Sequence, residues 1–300
     1  MLTAGESLPA VLGTGVPQAN AADLKTSGFE ISLRWKDQIG KVKYYVNASL
    51  SDYISEITKF SNPEGTLGSY YNGMKFGQIW GYKSYGLFQT EEEVENHADQ
   101  SPIWGGDWAP GDVKYEDLNN DGVINSGQYT LDDHGDLTVI GNSTPRFQYS
   151  FGGGFEWSKL DFSFFFQGIG KSDAWIGSTQ FWGFVASYVN LPKTVLDSWS
   201  PDNTDAYFPR PYIYYGHNNQ TSSRYLQDAS YIRLKNLTLG YTIPSNLSKK
   251  ILINYLRIYL SGENLLTFSK LNENFDPEII YNAYAYPTQR AISFGVNIKF

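Results

Sequence analysis

The sequence predicts an all-β fold: a C-terminal sector of about seven antiparallel strands from a large transmembrane β-barrel, with long extracellular loops. Three observations predict it. Apolar and polar residues alternate with period two in several separate segments, the pattern of strands with one apolar and one wet face. Aromatic residues reach 16% of the 300 residues, with 29 glycines and only 18% charged residues, a set that favours strands and turns over helices. The connections come in two sizes, short polar turns and very long excursions, which is the asymmetry of an outer-membrane barrel.

The segments follow in order. Phe29, Ile31, Leu33 and Trp35 oppose Glu30, Ser32, Arg34 and Lys36, and the turn Asp37-Gln38-Ile39-Gly40 follows. Val42, Tyr44, Val46, Ala48 and Leu50 oppose Lys43, Tyr45, Asn47, Ser49 and Ser51, and an excursion occupies 59–145. Phe147, Tyr149, Phe151, Phe155 and Trp157 oppose Gln148, Ser150, Gly152, Gly154 and Glu156; Ser158-Lys159 turns the chain. Phe162, Phe164 and Phe166 oppose Asp161, Ser163 and Gln167, before an excursion over 170–224. The segment 225–243 breaks phase: Ile232 and Leu234 share one parity, while Leu237, Leu239, Tyr241 and Ile243 take the other. One extra residue near Lys235-Asn236, a β-bulge, restores the pattern; two shorter strands with a kink are the alternative. The turn Pro244 to Asn254 carries Lys249 and Lys250. Leu256, Ile258 and Leu260 then oppose Arg257, Tyr259, Ser261 and Glu263, an excursion spans 269–289, and Ile292, Phe294, Val296, Ile298 and Phe300 close the chain.

Placing the short turns at one membrane face makes the strands alternate in direction without conflict, provided that 59–145 does not cross. Alternation also fits a soluble sandwich, so a soluble all-β carbohydrate-binding module or glycosidase accessory domain is the alternative. Aromatic residues at strand ends (Trp35, Phe147, Trp157, Phe300) and charges along the opposite face (Glu30, Arg34, Glu156, Arg257) favour the barrel, as interfacial girdles and a wet lumen. Seven strands are an odd number and fewer than the ~8 of the smallest bacterial barrels, and an open sheet in lipid leaves costly unpaired edges. The expectation is therefore a larger barrel whose earlier strands lie upstream, with 1–27 a loop leading into the barrel and 28–300 its C-terminal part. Met1 to Asn20 contains no basic residue and no long apolar run, so no signal peptide is expected there.

Composition excludes other classes. Without cysteine there is no disulfide scaffold, zinc-thiolate site or thiol nucleophile. A net charge of −8 argues against nucleic acid as a partner. His97, His134 and His217 are scattered, and no Gly-x-Ser-x-Gly elbow or His-Glu-x-x-His pair occurs, so the chain is not read as an enzyme.

Several blocks together resemble the TonB-linked outer-membrane proteins of SusC/RagA type. They are Pro110-Gly111-Asp112-Val113-Lys114-Tyr115, the run Asp117 to Ile124, Val139 to Phe147, Leu160 to Gly168, Tyr231 to Tyr241, Ser261 to Leu265, Phe275-Asp276-Pro277-Glu278, and Tyr286 to Arg290. They occur in family order over Gly28 to Phe300. The resemblance implies a barrel of about 22 strands around an N-terminal plug, in the outer membrane of a Gram-negative bacterium. It implies import of oligosaccharides or peptides with a SusD-like surface lipoprotein, driven by TonB through an upstream region. The plug and that region are absent from these residues, so transport by this segment alone is not expected.

Two candidate sites stand out. Aromatic residues in the long excursions, namely Trp104, Trp108, Trp175, Trp182, Trp199, Tyr212, Tyr214 and Tyr215, are candidates for substrate or lipoprotein contact, since flat rings suit sugars and peptides; packing of the loops is the alternative. Asp117, Asn119, Asp121 and Val123 match the alternate oxygen ligands of an EF-hand-like calcium loop, with Gly122 at the sharp turn. Gln128 stands where such a loop wants its bidentate Glu, so Asp132, Asp133 or Asp136 would have to complete the shell. A structural calcium ion is thus a candidate, with no cofactor required; an Asx-rich turn closed by its own hydrogen bonds is the alternative.

Overall fold

The computed structural model describes all residues except 1, 5–9, 16–17, 106, 184–190, 213–215, 273, 281, 283–284 and 287. Its main feature is an antiparallel seven-stranded sheet. The strands are β1 (Asp23–Ile39), β2 (Val42–Lys59), β3 (Arg146–Trp157), β4 (Leu160–Lys171), β5 (Tyr231–Thr242), β6 (Tyr255–Ser269) and β7 (Ala291–Lys299). They lie side by side in chain order, so every connection joins neighbours. The first strand begins at Asp23, six residues before the alternation shows it, because Asp23 to Gly28 is too polar to display a period. The fifth begins at Tyr231 rather than 225, after a short strand over Gln227–Asp228.

Register confirms the faces. Phe164 lies opposite Gly153 on one side and Leu237 on the other; Leu239 faces Leu260, and Leu260 faces Phe294. The break in phase at Lys235 is a bulge: register shifts between Leu234 and Asn236 against β6, and β4 skips the same residue. The apolar face is uncovered, with Leu33, Trp35, Phe268, Phe294 and Ile298 all exposed. A soluble sandwich buries that face against a second sheet; this sheet leaves it open. Gly40, at φ 59°, closes the β1–β2 turn in the left-handed region.

The chain divides into two compact units. The sheet unit comprises 27–53, 145–172 and 228–300; the loop unit comprises 1–26, 54–144 and 173–227. Among the described residues none between 60 and 145 enters the seven-stranded sheet. Within the loop unit, Gln78–Tyr82 pairs with Leu137–Asn142 and Ser84–Leu87 with Val113–Tyr115. Its core is aromatic, with Tyr115, Tyr225, Phe88 and Phe181 fully buried. Among the described residues no helix is long and apolar enough to cross a membrane.

Candidate functional site

In the sheet unit the polar face is organised by ion pairs. Arg146 grips Asp52 through Nε and Nη2, and the Phe147 amide donates to the same carboxylate. At the short-turn end Arg257 on β6 reaches across β5 to Asp161 on β4, Nε donating to Oδ1 at 2.9 Å. That reach needs glycine at 240, where a Cβ would collide with the guanidinium. Near the other end, buried Arg233 donates to Thr267 Oγ1 and Asp276 Oδ1, each at 2.8 Å, and pairs with Glu278 at 2.9 Å. Lys235, the bulge residue, joins Glu278 at 3.2 Å. Burial works against the charge on Asp276, but the Arg233 bond and the Glu278 amide outweigh it and hold the carboxyl below its usual value. This network folds the segment after β6 back over a cavity of about 390 Å³ bordered by Pro145, Ile169, Tyr231, Lys235, Pro277 and Ile280. Sequence reasoning gave Arg233, Asp276 and Glu278 no role. Two cations flanking Leu234 in an otherwise uncharged strand were the available signal.

In the loop unit most of the candidate rings pack against one another. Trp182 is buried, donates Nε1 to the Ile176 carbonyl at 2.8 Å, and stands 4.8 Å from Tyr225 and 5.6 Å from Trp175. Trp199 is buried on Gly111, at φ 93°, where any Cβ would strike the indole. Trp108 is half-buried, edge-on to His217 at 4.8 Å. Tyr212 also packs on His217, at 4.8 Å, and donates its hydroxyl to Asp112 at 3.2 Å. Buried Asp112 also accepts from Asn218 Nδ2 and from the Ala109 amide. Of these five rings Trp182 and Trp199 are buried, and Trp108, Trp175 and Tyr212 are half-buried. Trp104 differs: it is 64% exposed, at φ 59°, with its ring against Gly216. Tyr214 and Tyr215 lie outside the described residues.

The acidic turn is closed by its own backbone. Asp117 accepts from the amides of Asn120 and Gly122, Asn119 from Asp121, and Asp121 from Val123, at 2.7–2.9 Å. The acid that reaches back to it is Asp136, which accepts from the amides of Leu118 and Asn125. The Asp133 amide instead donates to Thr130 Oγ1 at 3.2 Å. Among the described residues no group of three or more His, Cys, Asp or Glu is placed to hold a metal ion.

No protein-family model matches the chain. TonB-dependent receptor P3 of Formosa agariphila is 30% identical over 242 residues, covering 76% of this chain and 22% of that protein. The chain belongs to the TonB-dependent receptors. TonB-dependent receptor P26 of the same organism is 29% identical over 237 residues, and P39 is 23% identical over 339 residues that cover 98% of the chain. A solved structure of the RagAB peptide transporter superposes with a TM-score of 0.70 at 23% identity, over 98% of this chain and 31% of that one. The RagAB peptide importer in its open-open state gives 0.69 over 100% of the chain. These likenesses make the sheet a sector of an outer-membrane β-barrel. This TonB-dependent receptor sequence spans between a fifth and a third of the length of the curated relatives it matches, at 22% to 32%. Those relatives are receptors, not enzymes.

Proposed function

We propose that the chain is the C-terminal barrel sector of a TonB-dependent importer of oligosaccharides or peptides that works with a SusD-like lipoprotein. One observation carries the reading: a seven-stranded sheet with an open apolar face, short turns leaving one end and long excursions leaving the other. The open face suits lipid, and the ion-paired face suits a wet channel. The excursions 59–145, 170–224 and 269–289 are then extracellular, and Trp104 is the ring best placed to meet substrate or lipoprotein. TonB acts through the region upstream of these residues. The likeness to the RagAB peptide importer supports a peptide cargo.

Deleting the whole receptor gene tests this. Growth on one class, peptides or oligosaccharides as sole nutrient, is expected to fail and to return with the full-length receptor. The tagged receptor is expected to co-purify with a surface lipoprotein. Unchanged growth on both classes, in a strain where loss of TonB abolishes uptake, overturns the proposal.

A further inference from the structure

The three short connections of the sheet are unequal. β1–β2 and β3–β4 close within a few residues, as antiparallel neighbours can. The β5–β6 connection runs from 243 to 254, far more than closure requires. It folds into helical turns over Ser245–Ser248 and Lys249–Ile251. It is pinned to the sheet at both ends, by the Ile243 amide to the Leu256 carbonyl and the Asn254 amide to the Lys299 carbonyl. Ser248 is buried beneath it. Its apolar side chains are not. Leu247, Ile251 and Leu252 are 52%, 61% and 87% exposed. Leu247 lies in the first of these turns and Ile251 in the second. Leu252 occupies the left-handed cap, φ 61°, where glycine is the least strained choice. Folding of the turn alone accounts for none of these three side chains.

Charge points the same way. The chain carries −8 overall, yet residues 244–254 hold Lys249 and Lys250 and no acid. The strands that enter and leave the turn carry the exposed apolar face of the sheet, at Leu239, Tyr241 and Leu260. Strands with an exposed apolar face, joined by a turn of exposed leucine and isoleucine beside lysines, match the pattern of an interfacial anchor.

We infer that the 244–254 turn is a membrane anchor: Leu247, Ile251 and Leu252 enter the acyl boundary of the leaflet at the short-turn side, and Lys249 and Lys250 bind the phosphate of anionic phospholipid headgroups. The test uses the full-length receptor, without other cysteines, in nanodiscs. A bimane label on Ile251→Cys is compared with one on Gln38→Cys in the β1–β2 turn. Doxyl-labelled lipid is expected to quench the Ile251 label at least about twofold more than the Gln38 label. Quenching by aqueous iodide in its place overturns the anchor, and so does protection from both quenchers, which would mean that protein covers the turn. In discs without phosphatidylglycerol, lipid quenching at Ile251 is expected to fall, and the Lys249→Gln/Lys250→Gln variant is expected to ignore phosphatidylglycerol. Equal quenching of the parent in both discs overturns the headgroup contact.

Discussion

The sheet unit and the loop unit contain the same residue types and use them in opposite directions. In the sheet, Leu33, Phe294 and Ile298 face outward, while the polar face is held by Arg146–Asp52, Arg257–Asp161 and Arg233–Asp276. In the loops, Tyr115, Tyr225, Phe88 and Phe181 are sealed inside, and polar Asx turns form the surface. The sheet's strands satisfy their backbone by pairing, so their side chains are free to meet whatever solvent lies outside. The irregular loops keep their shape through an ordinary dry core. Aromatic content alone therefore says little about where rings go; the period at which they recur says more.

The largest expected effect lies in the loops. Phe181→Ala removes a fully buried ring packed on Trp182, Phe208 and Tyr225. It should cost about 3–5 kcal/mol. Limited proteolysis should then cut within 54–144 or 173–227 while heat-modifiable migration shows that the barrel still assembles. Loss of both together would break the contrast between the units. Phe164→Arg on the sheet comes next, at roughly 2–4 kcal/mol near the bilayer midplane. Its expected outcome is failure to assemble in the outer membrane, and normal folding in water would contradict a lipid-facing role.

Alkaline pH separates the units further. Burial raises the Tyr82 hydroxyl to about 12, with Asp136 adding to the rise, and pushes Tyr115 and Tyr225 up as well. A raised folded value means that stability is fully present below the unfolded tyrosine value near ~10 and is lost as pH rises through the folded one. For Tyr82 the full loss is roughly 2–3 kcal/mol. Phenolate absorbance should therefore rise late, together with loss of loop structure, between pH 10 and about 12. Early, gradual titration of every tyrosine would count against a sealed loop core. The smallest effect concerns calcium. Because the Asp117 turn is already closed by four backbone amides, adding calcium after chelation should leave the melting temperature of the full-length receptor unchanged. A rise would assign the ion to Asp117, Asn119 and Asp121.

Much of the sheet was legible because period two converts directly into faces. Even the bulge at Lys235 showed, since one inserted residue flips every later side chain. The start of β1 did not show, because Asp23 to Gly28 lacks an apolar face. The candidate rings were found as residues but not as roles. Trp182 and Trp199 look no different in sequence from Trp104, and only packing separates two buried indoles from an exposed one.

By itself the sequence determined strand order, direction, faces and the two classes of connection, because these follow from local alternation and turn chemistry. Only the tertiary structure decided which carboxylate closes the acidic turn (Asp136), which loop Arg233 holds, and which aromatic residues are sealed. Those outcomes depend on contacts between residues tens of positions apart, and no local period carries that information.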